Sequence, residues 1–520
     1  MRPHPSFTRR GRTIATRLLF ALGLCATLAP AGWSAAATVP LQPCRIHGIS
    51  HDVLCGQIRR PLNPNAHGDT PQIDIHFTVI PAVARRGLPD PVFFFAGGPG
   101  QAATRLGGEA QFLLKRLNNR RDLVLIDQRG TGHSAPLECP ALPATAPLQS
   151  QADAGTWSAA MASCLAALQR LPYGDLRFFT TTLAMQDADA VRQALGFDRI
   201  NVVGGSYGTR AVLEYLRAFP TRVRRAVIDG VAPPDSPLTQ SLGQDVQAAL
   251  HAWLSACESD RACAARYPTL RPDFHALVRS TPRPITVAHP VTGQAERFLL
   301  TRLQLLSLVR SPLYSPTLAV ALPAAIADAT HDRFGALFGL ASALTIRPAT
   351  RLAMGMHLSV ICAEDLPPSA APTAPAADDD LGSIFEQQYT DLCAHWPRGD
   401  VPPAFRTIPR SDVPTLVLSG GLDPVTPPRH GARVAAALGP HARHVVVPQA
   451  GHGILAQPCV PDLVHRFIDR PSDRAPDRTD DRTDDDTALL GDTRCATDLP
   501  RPPLYEPLST PQTTTAGSVP

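Results

Sequence analysis

A serine flanked by glycines, Gly204-Gly205-Ser206-Tyr207-Gly208, stands between an apolar strand-like run and a helix-like run. That is the G-x-S-x-G layout, which sets a serine on a sharp strand-to-helix turn with its hydroxyl projecting above a sheet. A hydroxyl is a weak nucleophile until a base takes its proton. The downstream chain offers the partners. Asp423 follows the apolar run 414–420 in SGGLDPVTP, and His452 lies in AGHG just beyond 443–447. Glycines on both sides of His452 let the backbone bend to aim the imidazole. The other downstream histidines suit the role less. His430 falls in a helical stretch, His441 and His444 precede or enter a strand, and His465 sits in the next helix. Upstream, Ala96-Gly97-Gly98-Pro99-Gly100 ends another apolar run. Backbone N–H groups at Gly98 and Tyr207 could receive the negative oxygen of a tetrahedral intermediate. The pattern predicts acyl-transfer chemistry, with Ser206 as nucleophile, Asp423 as the orienting acid and His452 as base.

Such residues need a scaffold that brings distant segments together. Residues 72–80 (QIDIHFTVI) alternate apolar and polar, as a half-buried strand does. PVFFFA at 91–96, DLVLID at 122–127, RINVV at 199–203 and VRRAVID at 223–229 are strand-like, and the first two are continuous apolar runs. Apolar strands separated by helical stretches predict an α/β fold with a mostly parallel sheet covered on both faces. RAVLEYLRA at 210–218 reads as a helix stopped by Pro220. From about 235 to 405 helical patterns dominate, at 242–254, 303–309, 317–329 and 334–344, and strand-like runs become rare. PTLVLSG at 414–420 and RHVVV at 443–447 restore the strand pattern. The organisation read here is a core in two parts, 38–235 and 406–500, split by a helical insertion at 236–405. PPSAAPTAPAADDD at 367–380 reads as a loose linker, 469–486 as a solvated Asp/Arg-rich loop, and 501–520 as a disordered tail.

The 520 residues are 44% hydrophobic and 18% charged, enough apolar material for a large core. A net charge of +4 with 6% aromatics argues against a nucleic-acid partner. Arg2, Arg9, Arg10, Arg12 and Arg17 precede an apolar stretch from Leu18 to Ala31, and Ser34 to Ala37 supply small residues. Residues 1–37 therefore read as a secretory signal peptide, with no stable membrane insertion expected after cleavage. The expected location is secreted or periplasmic. Of 11 cysteines, Cys25 lies in that segment. The other ten form an even set in an exported chain, which reads as disulfides rather than a metal site. Spacing invites pairing of neighbours: 44–55, 139–164, 257–263, 362–393 and 459–495. No cofactor is called for.

FFFAGGPG, LIDQRGTGHS, GGSYGTR, SGGLDPVTP and AGHG together resemble the proline iminopeptidase and tripeptidyl aminopeptidase group of α/β-hydrolases, over about residues 40 to 465. That group usually has a histidine before Gly-Gly-Pro-Gly. Ala96 stands there in this chain, which is similar to the tripeptidyl branch, as are the cysteine-bearing segments 38–60 and 459–495. The resemblance implies the α/β-hydrolase fold with a largely helical cap, the triad Ser206, Asp423 and His452, and a turn at Asp127-Gln128-Arg129-Gly130 that shapes the site. It also implies a secreted serine aminopeptidase whose partners are peptides with a free N-terminus. A cap carboxylate could hold the substrate ammonium. Glu364 and Asp365, which end the apolar stretch HLSVICA, are the candidates. The alternative is an esterase or other small-molecule hydrolase with the same triad, because this fold does not fix the substrate.

Overall fold

Strands of Val, Ile, Leu and Phe with no polar face stay buried only when both faces of their sheet are covered. β4 (Val92–Phe95) and β5 (Leu123–Ile126) are buried at every residue. They lie near the middle of the sheet in the computed structural model, which describes residues 39–66, 68, 70–345, 351–366, 382–470 and 493–505. The signal peptide, the 367–380 linker, nearly all of the 469–486 loop and the tail beyond 505 lie outside the described residues.

The remaining strands of that sheet are β1 (Gln42–Cys44), β2 (Val53–Pro61), β3 (Gln72–Ile80), β6 (Ile200–Gly205), β7 (Val223–Asp229), β10 (Thr415–Gly420) and β11 (Ala442–Val447). Among the described residues the order is β1-β2-β3-β5-β4-β6-β7-β10-β11. β1 to β3 pair antiparallel at one edge, and β3 also meets β5 antiparallel. All pairings from β5 to β11 are parallel. Register then decides where chemistry can sit. Gly205 of β6 and Leu418 of β10 both stand opposite Asp229 of β7, and Gly420 stands opposite Val447 of β11. The four carboxyl ends finish nearly level, so the segments after them meet at one edge, where α/β sites form.

Eight helices matter here: α1 (Thr181–Ala194), α2 (Tyr207–Ala218), α3 (Leu238–Ser259), α4 (Arg302–Leu313), α5 (Met354–Glu364), α6 (Gly382–Cys393), α7 (Pro428–Leu438) and α8 (Val460–Asp469). α2 buries Val212, Leu213 and Leu216 against the sheet, in one cluster with Phe93, Phe95 and Val202. Between β7 and β10 the chain is largely helical, with its own apolar cluster around Leu250, Trp253, Phe274, Leu306, Ile326 and Phe334.

Two features there add to the sequence reading. β8 (Arg283–Ala288) and β9 (Ala295–Leu300) form an antiparallel hairpin. Each buries only alternate residues, so its apolar count is low and the runs do not stand out. In addition, α5 places Met356, Leu358, Val360 and Ile361 in the same cluster as the sheet strands. This stretch packs with the core although it lies within the insertion.

The cysteines pair as neighbours: Cys44–Cys55, Cys139–Cys164, Cys257–Cys263, Cys362–Cys393 and Cys459–Cys495. Cys362–Cys393 ties α5 to α6. Disulfides of this kind persist outside the reducing cytosol. Among the described residues, no single helix is long and apolar enough to cross a membrane.

Candidate active site

β6 passes into α2 through Ser206, whose backbone is held at φ 55° and ψ −125°. A non-glycine residue there stores about 1–3 kcal/mol of strain, retained only when its surroundings impose it. The surroundings do so. The Ser206 N–H donates to the Asp229 carbonyl at 2.8 Å, and its carbonyl accepts from the Thr209 N–H at 2.9 Å and from Thr209 Oγ1 at 2.6 Å. Glycines are required alongside. A Cβ on Gly204 would strike the Gly208 carbonyl, and one on Gly208 would strike the Phe95 carbonyl.

At the ends of β10 and β11, Asp423 and His452 meet. His452 Nδ1 lies 2.8 Å from Asp423 Oδ2. The Asp423 carboxylate also accepts the N–H groups of Val425 (2.8 Å) and Thr426 (2.9 Å) on Oδ1, and the Thr426 hydroxyl (2.7 Å) on Oδ2. Burial pushes Asp423 up, but His452 and these hydrogen bonds outweigh it, so its pKa lies below the usual carboxylate value. Asp423 is therefore ionised and can only accept. Nδ1 of His452 must carry the proton, which leaves Nε2 as the basic nitrogen. For His452, burial pulls the pKa down, and Asp423 and then Asp229 more than reverse it, leaving it above the ordinary value. The insertion reaches this loop too: the His452 N–H donates to the Tyr314 carbonyl at 3.0 Å, and the two rings meet edge-on at 5.4 Å.

The imidazole lies against the end of β7, whose last carbonyl accepts the Ser206 N–H. A Cβ on Gly230, next to Asp229, would sit 3.3 Å from His452 Cε1. On the other side, a Cβ on Gly97 would come within 3.2 Å of the Ser206 Cβ, so this loop needs glycine to approach. Gly98 follows at φ 111°, a conformation closed to most side chains. α5 braces the loop. His357 Nδ1 is 3.0 Å from the Pro99 carbonyl, His357 Nε2 is 2.9 Å from the Tyr389 hydroxyl, and the Ala353 N–H donates to the Gly100 carbonyl at 2.9 Å. Gly98 thus stands on a loop beside Ser206, and Tyr207 is the first residue of α2, directly after it. The Asp127–Gly130 turn is structural: Asp127 accepts from Thr104 and His133, and Arg129 forms a two-pronged pair with Asp187 at 2.7 and 2.9 Å.

Residues 90–269 match the alpha/beta hydrolase fold family, and 381–480 match the TAP-like protein family. The strand order, the serine turn and the family matches agree. The chain is a serine hydrolase of the α/β-hydrolase fold. It is similar to Serine protease Hip1 of Mycobacterium tuberculosis, at 26% identity over 435 residues, spanning 76% of this hydrolase and 81% of that protein. Tripeptidyl aminopeptidase of Streptomyces lividans matches at 34% over 152 residues, 26% of this chain and 28% of that one. Proline iminopeptidase of Aeromonas sobria matches at 27% over 178 residues, 34% of this chain and 35% of that one.

The hydrolase uses Glu364 and Asp365 differently from the sequence expectation of carboxylates open to a substrate ammonium. Both are buried, 2% and 1% exposed, and both already have protein partners. Asp365 pairs with Arg210 at 3.0 Å and accepts the Leu238 N–H at 2.9 Å. Glu364 accepts the N–H (2.7 Å) and hydroxyl (2.9 Å) of Thr181, which in turn meets the Tyr207 hydroxyl at 2.6 Å. Burial pushes Glu364 up to about 7, against the pull of Arg210. The pair therefore anchors α5 to α2, the helix that follows Ser206. Asp365→Ala leaves the buried guanidinium with Glu364, 3.8 Å away, as its one remaining carboxylate, and should destabilise the protein by about 3–5 kcal/mol. Reversible urea unfolding measures this, and a loss under 1 kcal/mol contradicts the anchoring role.

Thr426, Asp229 and Tyr314 were missed by motif reading. A signal for the first existed: D-x-x-T after a strand is the pattern of an acid capped by its own turn.

Proposed function

We propose that the hydrolase is a secreted serine aminopeptidase that removes short peptides or single residues from free peptide N-termini. The observation that carries the catalytic half is the His452–Asp423 hydrogen bond beside the strained Ser206 turn. In this reading Ser206 Oγ attacks the scissile carbonyl while His452 Nε2 takes its proton. The oxygen gains charge against the N–H groups of Gly98 and Tyr207. His452 then protonates the leaving amine. Water repeats the sequence on the acyl-enzyme, and Asp423 holds the imidazole throughout. Similarity to the tripeptidyl aminopeptidase and proline iminopeptidase supports the exopeptidase half, and the signal-like N-terminus and five disulfides support export.

A panel of chromogenic tripeptide and aminoacyl anilides, each with free and acetylated N-terminus, tests the reading. Acetylation removes the ammonium charge and its donors. A hydrogen bond to a charged group contributes about 1.5–3 kcal/mol, so acetylated substrates should react at least about tenfold more slowly in kcat/KM. Equal rates, or turnover of simple esters with none of the anilides, overturns the aminopeptidase reading in favour of the esterase.

A further inference from the structure

We propose that Asp229 is a positioning residue of the hydrolytic site, fixing the turn that carries Ser206 against the loop that carries His452. The inference rests on the reading of Ser206 and His452 as nucleophile and base. Asp229 is the last residue of β7, between the strand that delivers the serine and the strand that delivers the acid. Its main chain and side chain act on different partners. The carbonyl accepts the Ser206 N–H at 2.8 Å. The carboxylate accepts the Ile454 N–H at 3.0 Å on Oδ1 and 2.8 Å on Oδ2, and the Leu455 N–H at 2.9 Å on Oδ2. Ile454 is two residues beyond His452, and Gly453 between them turns at φ 80°. One residue thus sets the separation of the two loops.

Geometry alone would not require a charge here. A neutral amide or hydroxyl could accept two N–H groups, whereas an unpaired anion is costly to bury. Asp229 is 2% exposed and, among the described residues, has no ion pair with Arg or Lys. The charged groups that face it are His452 and Asp423. Burial raises its carboxyl to about 6, opposed by the Ile454 and Leu455 N–H groups, so it is ionised at neutral and alkaline pH. The anion raises the affinity of His452 for a proton. That favours the imidazolium formed when the base takes the Ser206 proton. Asp229 therefore acts through His452 in two ways, by holding its loop and by supplying a second negative charge behind Asp423.

Asp229→Asn separates these effects, because its amide oxygen can still accept at the Oδ2 position while the charge is gone. On the best anilide of the panel, kcat should fall at least tenfold with KM within twofold. The acid limb of the kcat/KM–pH profile should move to lower pH. Asp229→Ala should lose more. An Asn variant with wild-type kcat overturns the proposal, and so does one that slows with the acid limb unmoved, which marks a structural role only. Should neither variant fold, the wild-type profile decides. A carboxylate titrating beside His452 steepens the acid limb toward a slope of 2 below about pH 6, since both groups must be deprotonated in the fully active form. A slope of 1 down to pH 5 overturns the proposal. Ser206→Ala, assayed in parallel, separates the two levels. If it stays active, the underlying assignment fails. If it is inert while Asp229→Asn behaves as wild type, only this inference fails.

Discussion

Ser206→Ala should lower kcat by three or more orders of magnitude and leave the fold in place. The loss is large because triad members act as a unit, and without a nucleophile only binding and the oxyanion donors remain. The fold survives for reasons visible around the residue. The contacts that impose φ 55° on it are main-chain ones: its N–H on Asp229 and its carbonyl on Thr209. Alanine keeps both and meets the same backbone strain. Stability should therefore change by no more than about 1 kcal/mol. Anilide kinetics with thermal unfolding on the same preparation measures both quantities. A fluorophosphonate should label Ser206 in the wild type and nothing in the variant. Labelling of another serine, or a kcat within tenfold of wild type, removes Ser206 from the role of nucleophile.

What could be read from the chain follows from which signals are local. β4 and β5 were legible because strands buried on both faces leave continuous apolar runs. Ser206 was legible because a strained turn demands small neighbours, and Gly204 and Gly208 are those neighbours. The disulfides were legible because each joins sequence neighbours, 6 to 36 residues apart. Illegible features depend on distant partners. Glu364 and Asp365 look like an exposed helix end until Arg210, from the helix that follows Ser206, is found beneath them. Asp229 reads as an ordinary strand end before glycine. Its meaning appears only when the 452–455 loop folds over it. β8 and β9 were hidden because a one-sided hairpin carries half the apolar residues of a central strand.

Asp423→Asn should be almost as damaging as loss of the serine, with a fall in kcat of about 10³–10⁴. The reason is a proton in the wrong place. Oδ1 of Asp423 accepts two backbone N–H groups, from Val425 and Thr426, so the oxygen of an asparagine stays on that side. Its NH₂ then points at His452 Nδ1, where Oδ2 now sits at 2.8 Å. Two donors cannot face each other, so the imidazole changes tautomer and Nε2 holds the proton. It can no longer accept one from Ser206. The pH profile carries an independent sign. In the wild type the His452 pKa is raised above its ordinary value, so kcat/KM should be fully developed only on the alkaline side of that raised value and fall as pH drops through it. Asp423 is the main group raising it. The residual activity of Asp423→Asn should therefore show an acid limb displaced to lower pH. Thr426→Val removes only the hydroxyl that donates to Oδ2 and touches His452 Nδ1 at 3.1 Å. The carboxylate stays charged and the tautomer stays correct, so its loss should be about ten- to a hundredfold, the effect of one hydrogen bond to a charged group. Steady-state kinetics from pH 5 to 10 on both variants tests the ordering. If Thr426→Val costs as much as Asp423→Asn, the tautomer argument fails. If Asp423→Asn keeps a tenth of wild-type kcat, another carboxylate orients the base, and Asp229 is the one within reach of the same loop.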